Sequence, residues 1–168
     1  AQQIQSMSSM STTSSSSSSQ AKAIRFYIGV DEMGNTTGKR PGELEKTLAK
    51  MVRAQLERSG GVKLAPSRET PSQSKRILKT RGWTGYYVQG SVTSLEEVGG
   101  QIHAVVSVMV LTYPGRDLRM MLQGRGVAAF QGSRSVSTSQ RAHLENSALE
   151  GAVRGAIERL TDQINSGR

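Results

Sequence analysis

The sequence predicts an α+β fold: a single mixed sheet in the order β-α-β-α-β-β-β-α, with an antiparallel three-strand meander and helices packed on one face. Three observations predict it. Residues 86–93, 102–113 and 118–126 form three strand-like runs in succession, and the turn signals Gly99-Gly100 and Pro114-Gly115 separate them. Leu44, Leu48, Met51, Val52 and Leu56 recur at three- and four-residue steps, which is the apolar stripe of a helix. Leu144, Leu149, Val153, Ile157, Leu160 and Ile164 keep the same spacing near the other end of the chain.

Residues 1–21 stand outside this pattern. They are nearly all Ser, Thr, Gln and Met, with six consecutive serines at 14–19. So little apolar surface cannot offset the entropy of ordering the chain, so this stretch is expected to be a disordered tail or linker. Residues 22–168 then form one domain, long enough to bury a core.

Residues 25–30 (Arg-Phe-Tyr-Ile-Gly-Val) read as a short strand, and the Gly-, Asn- and Thr-rich stretch 31–39 as a loop. The first helix has Pro41 near its first turn and Glu43 and Glu45 at its positive end, and Ser59-Gly60-Gly61 stops it. Residues 62–65 fit a brief strand, and Ser72 is the expected cap of a short basic helix ending near Arg81-Gly82. Its strong apolar anchors are Ile77 and Leu78 alone, which places it at the surface.

Within the meander, Tyr86, Val88 and Val92 share one face of the first strand. The second strand is apolar on both faces, with Ala104, Val106, Val108 and Val110 against Val105, Met109 and Leu111, so it is expected to be central. In the third, Gly124 and Gly126 predict a bulge or a close backbone approach. A polar stretch at 131–139 leads to the last helix, expected over 140–164. Its middle is thin, with Ala148, Gly151, Ala152, Gly155 and Ala156. Small residues let a helix backbone approach a sheet. Glu145, Glu150, Arg154 and Glu158 argue against the membrane-dimer reading of Gly151-x-x-x-Gly155.

No cysteine is present, which removes disulfides, thiolate metal sites and cysteine nucleophiles. His103 and His143 belong to no metal-spaced motif, so no metal or cofactor is expected. No Gly-x-Ser-x-Gly elbow occurs. Residues 34–39 (Gly-Asn-Thr-Thr-Gly-Lys) fail as a phosphate loop, because Arg40 stands where Ser or Thr should hold magnesium; a plain connecting loop is preferred to a degenerate anion site. Asp31 and Glu32 read as a solvated turn. No catalytic residue is assigned, and no enzymatic activity is expected.

The formal charge is +9. Its cations gather at Lys75, Arg76, Lys79 and Arg81, and again at Arg116, Arg119, Arg125, Arg134 and Arg141. Such groups attract acidic partners and polyanions, or simply keep the domain soluble. An RNA-reading sheet needs aromatic rings on one face, whereas Tyr86 and Tyr87 alternate, so specific nucleic-acid readout is not expected. The start at Ala1 fits either a removed export signal or excision from a longer protein.

Several phrases resemble a group of bacterial envelope domains. They are Leu56-Glu57-Arg58-Ser59-Gly60, Tyr87-Val88-Gln89-Gly90-Ser91-Val92-Thr93, the alternating valines of 102–111 and the turn Tyr113-Pro114-Gly115-Arg116-Asp117. The glycine-bearing strand 122–126 and the alanine-rich helix 148–160 follow in the same order. The group comprises the curli secretion channel (CsgG) family, the penicillin-binding-protein activator LpoB and the amino-terminal domain of TolB, and the resemblance spans residues 24–164. It implies a periplasmic or envelope-associated, non-enzymatic domain that binds proteins or assembles into a ring. Against the group's pattern, this chain has no cysteine to acylate, no apolar hairpins for a secretion barrel, and more positive charge. The expected function is therefore docking to, or scaffolding, an envelope complex, with Lys75, Arg76, Lys79, Arg81, Arg116 and Arg119 as partner-binding residues. The alternatives are a subunit of an oligomeric secretion or motility ring, and a binder of nucleic acid or anionic lipid.

Overall fold

A computed structural model describes residues 23–130 and 135–167. The expected tail and Arg134 lie outside the described residues. The elements run β1 (Phe26–Val30), β2 (Gly34–Asn35), α1 (Glu43–Arg58), β3 (Val62–Leu64), α2 (Pro71–Arg81), β4 (Thr84–Val98), β5 (Gln101–Thr112), β6 (Leu118–Ala129) and α3 (Thr138–Asn165). All six strands join one open mixed sheet in the order β3-β1-β4-β5-β6, with β2 paired to β4. β1 runs parallel to β3 and β4, while β4, β5 and β6 form the antiparallel meander.

α1 and α3 cover one face, as expected. Leu44, Leu48, Val52 and Leu56 of α1 meet Ile28, Val88 and Val92 of the sheet, and α3 lays Ala148, Ala152, Val153 and Ile157 beside them. α2 lies against the other face, where Ile77 and Leu78 pack on Tyr27 and Tyr113. Strand order explains the split. The chain crosses from β1 to β3 in one direction through α1, and then returns past β1 to β4 through α2. Crossovers of one hand that travel in opposite directions deposit their helices on opposite faces.

The local details depart from the sequence reading in instructive ways. The loop expected over 31–39 contains β2, which continues the pairing along β4 through Gly34↔Ser91 and Asn35↔Val92. The cap of α2 is Thr70 rather than Ser72: Thr70 and Gln73 exchange side-chain and backbone hydrogen bonds, and Pro71 opens the helix. Ser137 and Gln140 build the same box at the start of α3.

β4 is longer than predicted, because its register shifts between Val92 and Ser94 and Thr93 stands unpaired as a bulge. Gly99 and Gly100, both at positive φ (58° and 74°), close the β4–β5 hairpin. The second register shift lies between Leu118 and Met120, opposite Val110 and Leu111. Gly124 and Gly126 therefore mark a close approach and not a bulge. Among the described residues, no helix is long and apolar enough to cross a membrane.

Candidate functional site

The face left open by α1 and α3 carries a row of four aromatic rings. Tyr27 and Gly29 of β1 stand opposite Gly85 and Tyr87 of β4 on this face. The two glycines make room for the row. A Cβ at Gly29 would lie 2.9 Å from the Tyr87 ring, and one at Gly85 would lie 3.0 Å from Tyr113. Trp83 stacks on Tyr27 at 6.0 Å, Tyr27 meets the edge of Tyr113 at 5.7 Å, and Tyr113 tilts against Tyr87 at 4.2 Å. Tyr27 and Tyr113 are buried, while Trp83 and Tyr87 are half-buried.

An arginine closes each end of the row. The Arg81 guanidinium lies 5.7 Å from the centre of the Trp83 ring, and that of Arg116 lies 4.4 Å from the centre of Tyr87. Arg116 sits at positive φ (65°) in the β5–β6 turn, and its Nη1 donates to Asp31 Oδ2 at 2.7 Å. Gln89 Nε2 donates to the same oxygen at 2.8 Å. Burial pushes the Asp31 carboxyl upward, but the hydrogen bonds from Gln89 and Arg116 and the arginine's charge outweigh it and hold the group below its ordinary range. Asp31 is thus a structural anchor of the turn and not a free solvated acid.

Beneath the row, Glu69 Oε2 accepts hydrogen bonds from both the Tyr27 hydroxyl (2.6 Å) and the Tyr113 hydroxyl (2.7 Å). Burial, followed by the bond to Glu69 and its negative charge, raises both phenols well above the ordinary 10.0. A phenol whose folded value is raised contributes stability that is complete below its unfolded value and is lost as pH rises through the folded one. An ultraviolet titration is therefore expected to show two late-ionising tyrosines. Tyr27 and Tyr113 should resist ionisation until the fold opens, and Glu69→Gln should bring both back toward the ordinary range.

The structure brings some of the predicted partner-binding residues together. Lys75, Arg76 and Lys79 are exposed on α2, and Arg76 helps line a shallow hollow of about 480 Å³ with Arg68, Glu69, Gln73 and Ile77. Arg81 and Arg116 terminate the ring row. Arg119 is exposed on β6, and no described contact joins it to the other five. Sequence reasoning missed Tyr27, Glu69 and Tyr113. One signal was available: glycines at 29 and 85 among β-branched and aromatic neighbours predict that something large lies across the strands.

Other sequence candidates have structural explanations. In residues 34–39, the Asn35 Oδ1 accepts from the Thr37 N–H at 3.0 Å, and the Lys39 ammonium bonds the Leu95 carbonyl, so the stretch is an internally satisfied connection. His103 lies half-buried on β5, and His143 is exposed on α3. Among the described residues, no three His, Asp or Glu side chains form a group that could hold a metal ion.

No family model matches the chain, and no curated protein matches it. Solved structures do. Protein XCC0632 from Xanthomonas campestris superposes with a TM-score of 0.52 at 14% identity, over 88% of this chain and 90% of that one. The PelC dodecamer subunit from Paraburkholderia phytofirmans gives 0.48 at 13% identity, covering 84% and 89%. A minor lipoprotein from Acinetobacter baumannii gives 0.47 at 11%, covering 84% and 94%. At these identities the likeness to the Xanthomonas protein establishes a shared fold. The finer resemblance to the CsgG, LpoB and TolB group is not among these likenesses.

Proposed function

We propose that this chain is a non-enzymatic interaction domain of the bacterial cell envelope, which docks a protein partner through α2 and the adjoining ring row. The observation that carries this reading is the pair of half-buried outer rings, Trp83 and Tyr87, held rigid by the buried Tyr27 and Tyr113 between them and each carrying an arginine. Tyr, Trp and Arg on a rigid support lose little entropy on binding, and such residues dominate the energetics of protein interfaces. Asp31 already answers the Arg116 charge, so that residue offers a fixed guanidinium plane. Lys75, Arg76 and Lys79, exposed and without an ion-pair partner among the described residues, supply positive charge at the rim, which favours an acidic partner surface. The envelope placement rests on the strand-and-turn phrases that resemble envelope domains.

The test is cross-linking in envelope extracts, comparing the native chain with Trp83→Ala and with the charge reversal Arg76→Glu/Arg119→Glu. A discrete partner should be captured by the native chain, and Trp83→Ala should weaken capture about tenfold or more. If both variants retain the partner fully, this surface is not the docking site. The exposed cations of α2 also favour the polyanion reading, and salt separates the two. Phosphate binding should collapse between low and moderate salt, whereas a docked protein interface should persist.

A further inference from the structure

The outer edge of β6 forms a second surface, independent of α2 and the ring row. β6 is the last strand of the sheet, and among the described residues no strand pairs with its outer side. The ladder fixes which backbone groups face outward. Thr112 N–H donates to Asp117, and Phe130 N–H donates to Gly100. Antiparallel alternation then turns Leu122, Gly124 and Gly126 toward β5, and it turns the N–H and C=O of Met121, Gln123, Arg125 and Val127 outward. The Gln123 carbonyl accordingly accepts from Arg159 Nη1 of α3 at 3.0 Å.

Edge strands are ordinarily protected by being short, or by carrying proline or dense charge. This one has twelve residues, no proline and no acid, and its charges are Arg119 and Arg125. The side chains of the outward-facing residues stand on the open face, where Met121 is 62% and Val127 54% exposed. On the helix side, Gly124 and Gly155 thin the wall, and with Gln123, Arg125 and Arg159 they line a notch of about 290 Å³.

We propose that this edge accepts an extended acidic segment of a partner protein as an additional strand. Charge selects that occupant. A second copy of β6 would set Arg125 and Arg159 against their own kind. The other sheet edge, β3, has three residues centred on exposed Lys63 and repeats the conflict. A strand alternating apolar and acidic residues satisfies both sides: its apolar face lies on Met121 and Val127, and its carboxylates reach the notch and Arg159. Main-chain bonds supply affinity, and the alternation supplies selection.

The probe is a short, dye-labelled synthetic peptide alternating valine and glutamate, with a valine–lysine peptide as its counterpart, added to the full chain. Binding is read by fluorescence anisotropy and by amide hydrogen exchange. The glutamate peptide should bind and slow exchange at Met121, Gln123, Arg125 and Val127, and Arg159→Glu, which reverses the charge on the helix side, should weaken it about tenfold or more. Trp83→Ala should leave this binding unchanged, which separates it from the α2 surface. Equal binding of the lysine peptide overturns the proposal, as does unchanged exchange at those four amides. Self-association of the protein with protection there, or protection in the monomer alone, also overturns it, because the edge would then belong to a second copy or to this chain's own amino-terminal residues.

Discussion

Gly126→Ala and Gly124→Ala are each expected to destabilise the fold by about 3 kcal/mol or more, measured by urea unfolding. A Cβ at Gly126 would fall 1.8 Å from the Ala148 carbonyl oxygen and 2.6 Å from the Ala152 nitrogen, and one at Gly124 would fall 1.8 Å from the Ala152 carbonyl oxygen. These are helix backbone atoms, and no rotamer change relieves the overlap. α3 would have to lift from β6, opening the packing around Ala148, Ala152 and Ala156. Gly155→Ala is the control: its Cβ would meet nothing within 4 Å. Alanine there should stabilise the helix by about 0.5–1 kcal/mol. A Gly126→Ala variant as stable as the native chain would mean that α3 does not sit at this register.

Leu48→Ala is expected to cost about 2–5 kcal/mol. Leu48 is fully buried, and its Cδ2 lies 3.5 Å from where a Gly90 Cβ would stand, so this side chain seats α1 on the sheet. Beside it the Met33 sulfur accepts the Gly90 N–H at 3.1 Å. Lys46→Ala, exposed on the same helix, should change stability by no more than about 0.5 kcal/mol. If the two variants unfold at the same urea concentration, α1 does not rest on the sheet through Leu48.

What the sequence revealed follows from the range over which each signal acts. The stripes of α1 and α3 and the alternation of β5 are local patterns, and each places a face correctly. The small residues of α3 and the glycines of β6 could be read as a close approach because no other property of those residues fits their positions. The face chosen by α2 depends on strand order, which no residue of α2 encodes. Likewise, Glu69 meets Tyr27 and Tyr113 across 42 and 44 positions, and Asp31 meets Arg116 across 85. Read locally, Asp31 was a solvated acid and Arg116 a free cation, and the fold cancels each against the other. Of the predicted binding residues, the charge clusters lie on α2 and the β5–β6 turn, while the rings between them come from two strands, β1 and β4, the α2–β4 connection and the β5–β6 turn.

The unpaired residue at Thr93 gives β4 two reading frames. Up to Val92, even-numbered residues face inward and answer to α1, as Gly90 does beneath Leu48. After the shift, odd-numbered Leu95 faces inward beside Ile102 and the first turn of α3, where the Lys39 ammonium also bonds its carbonyl. One strand thereby serves two helices with different phase requirements. The single inserted residue lets each half of the strand vary without forcing the other out of step, so the hairpin tip forms a module that evolution can remodel separately from the α1-covered body of the sheet.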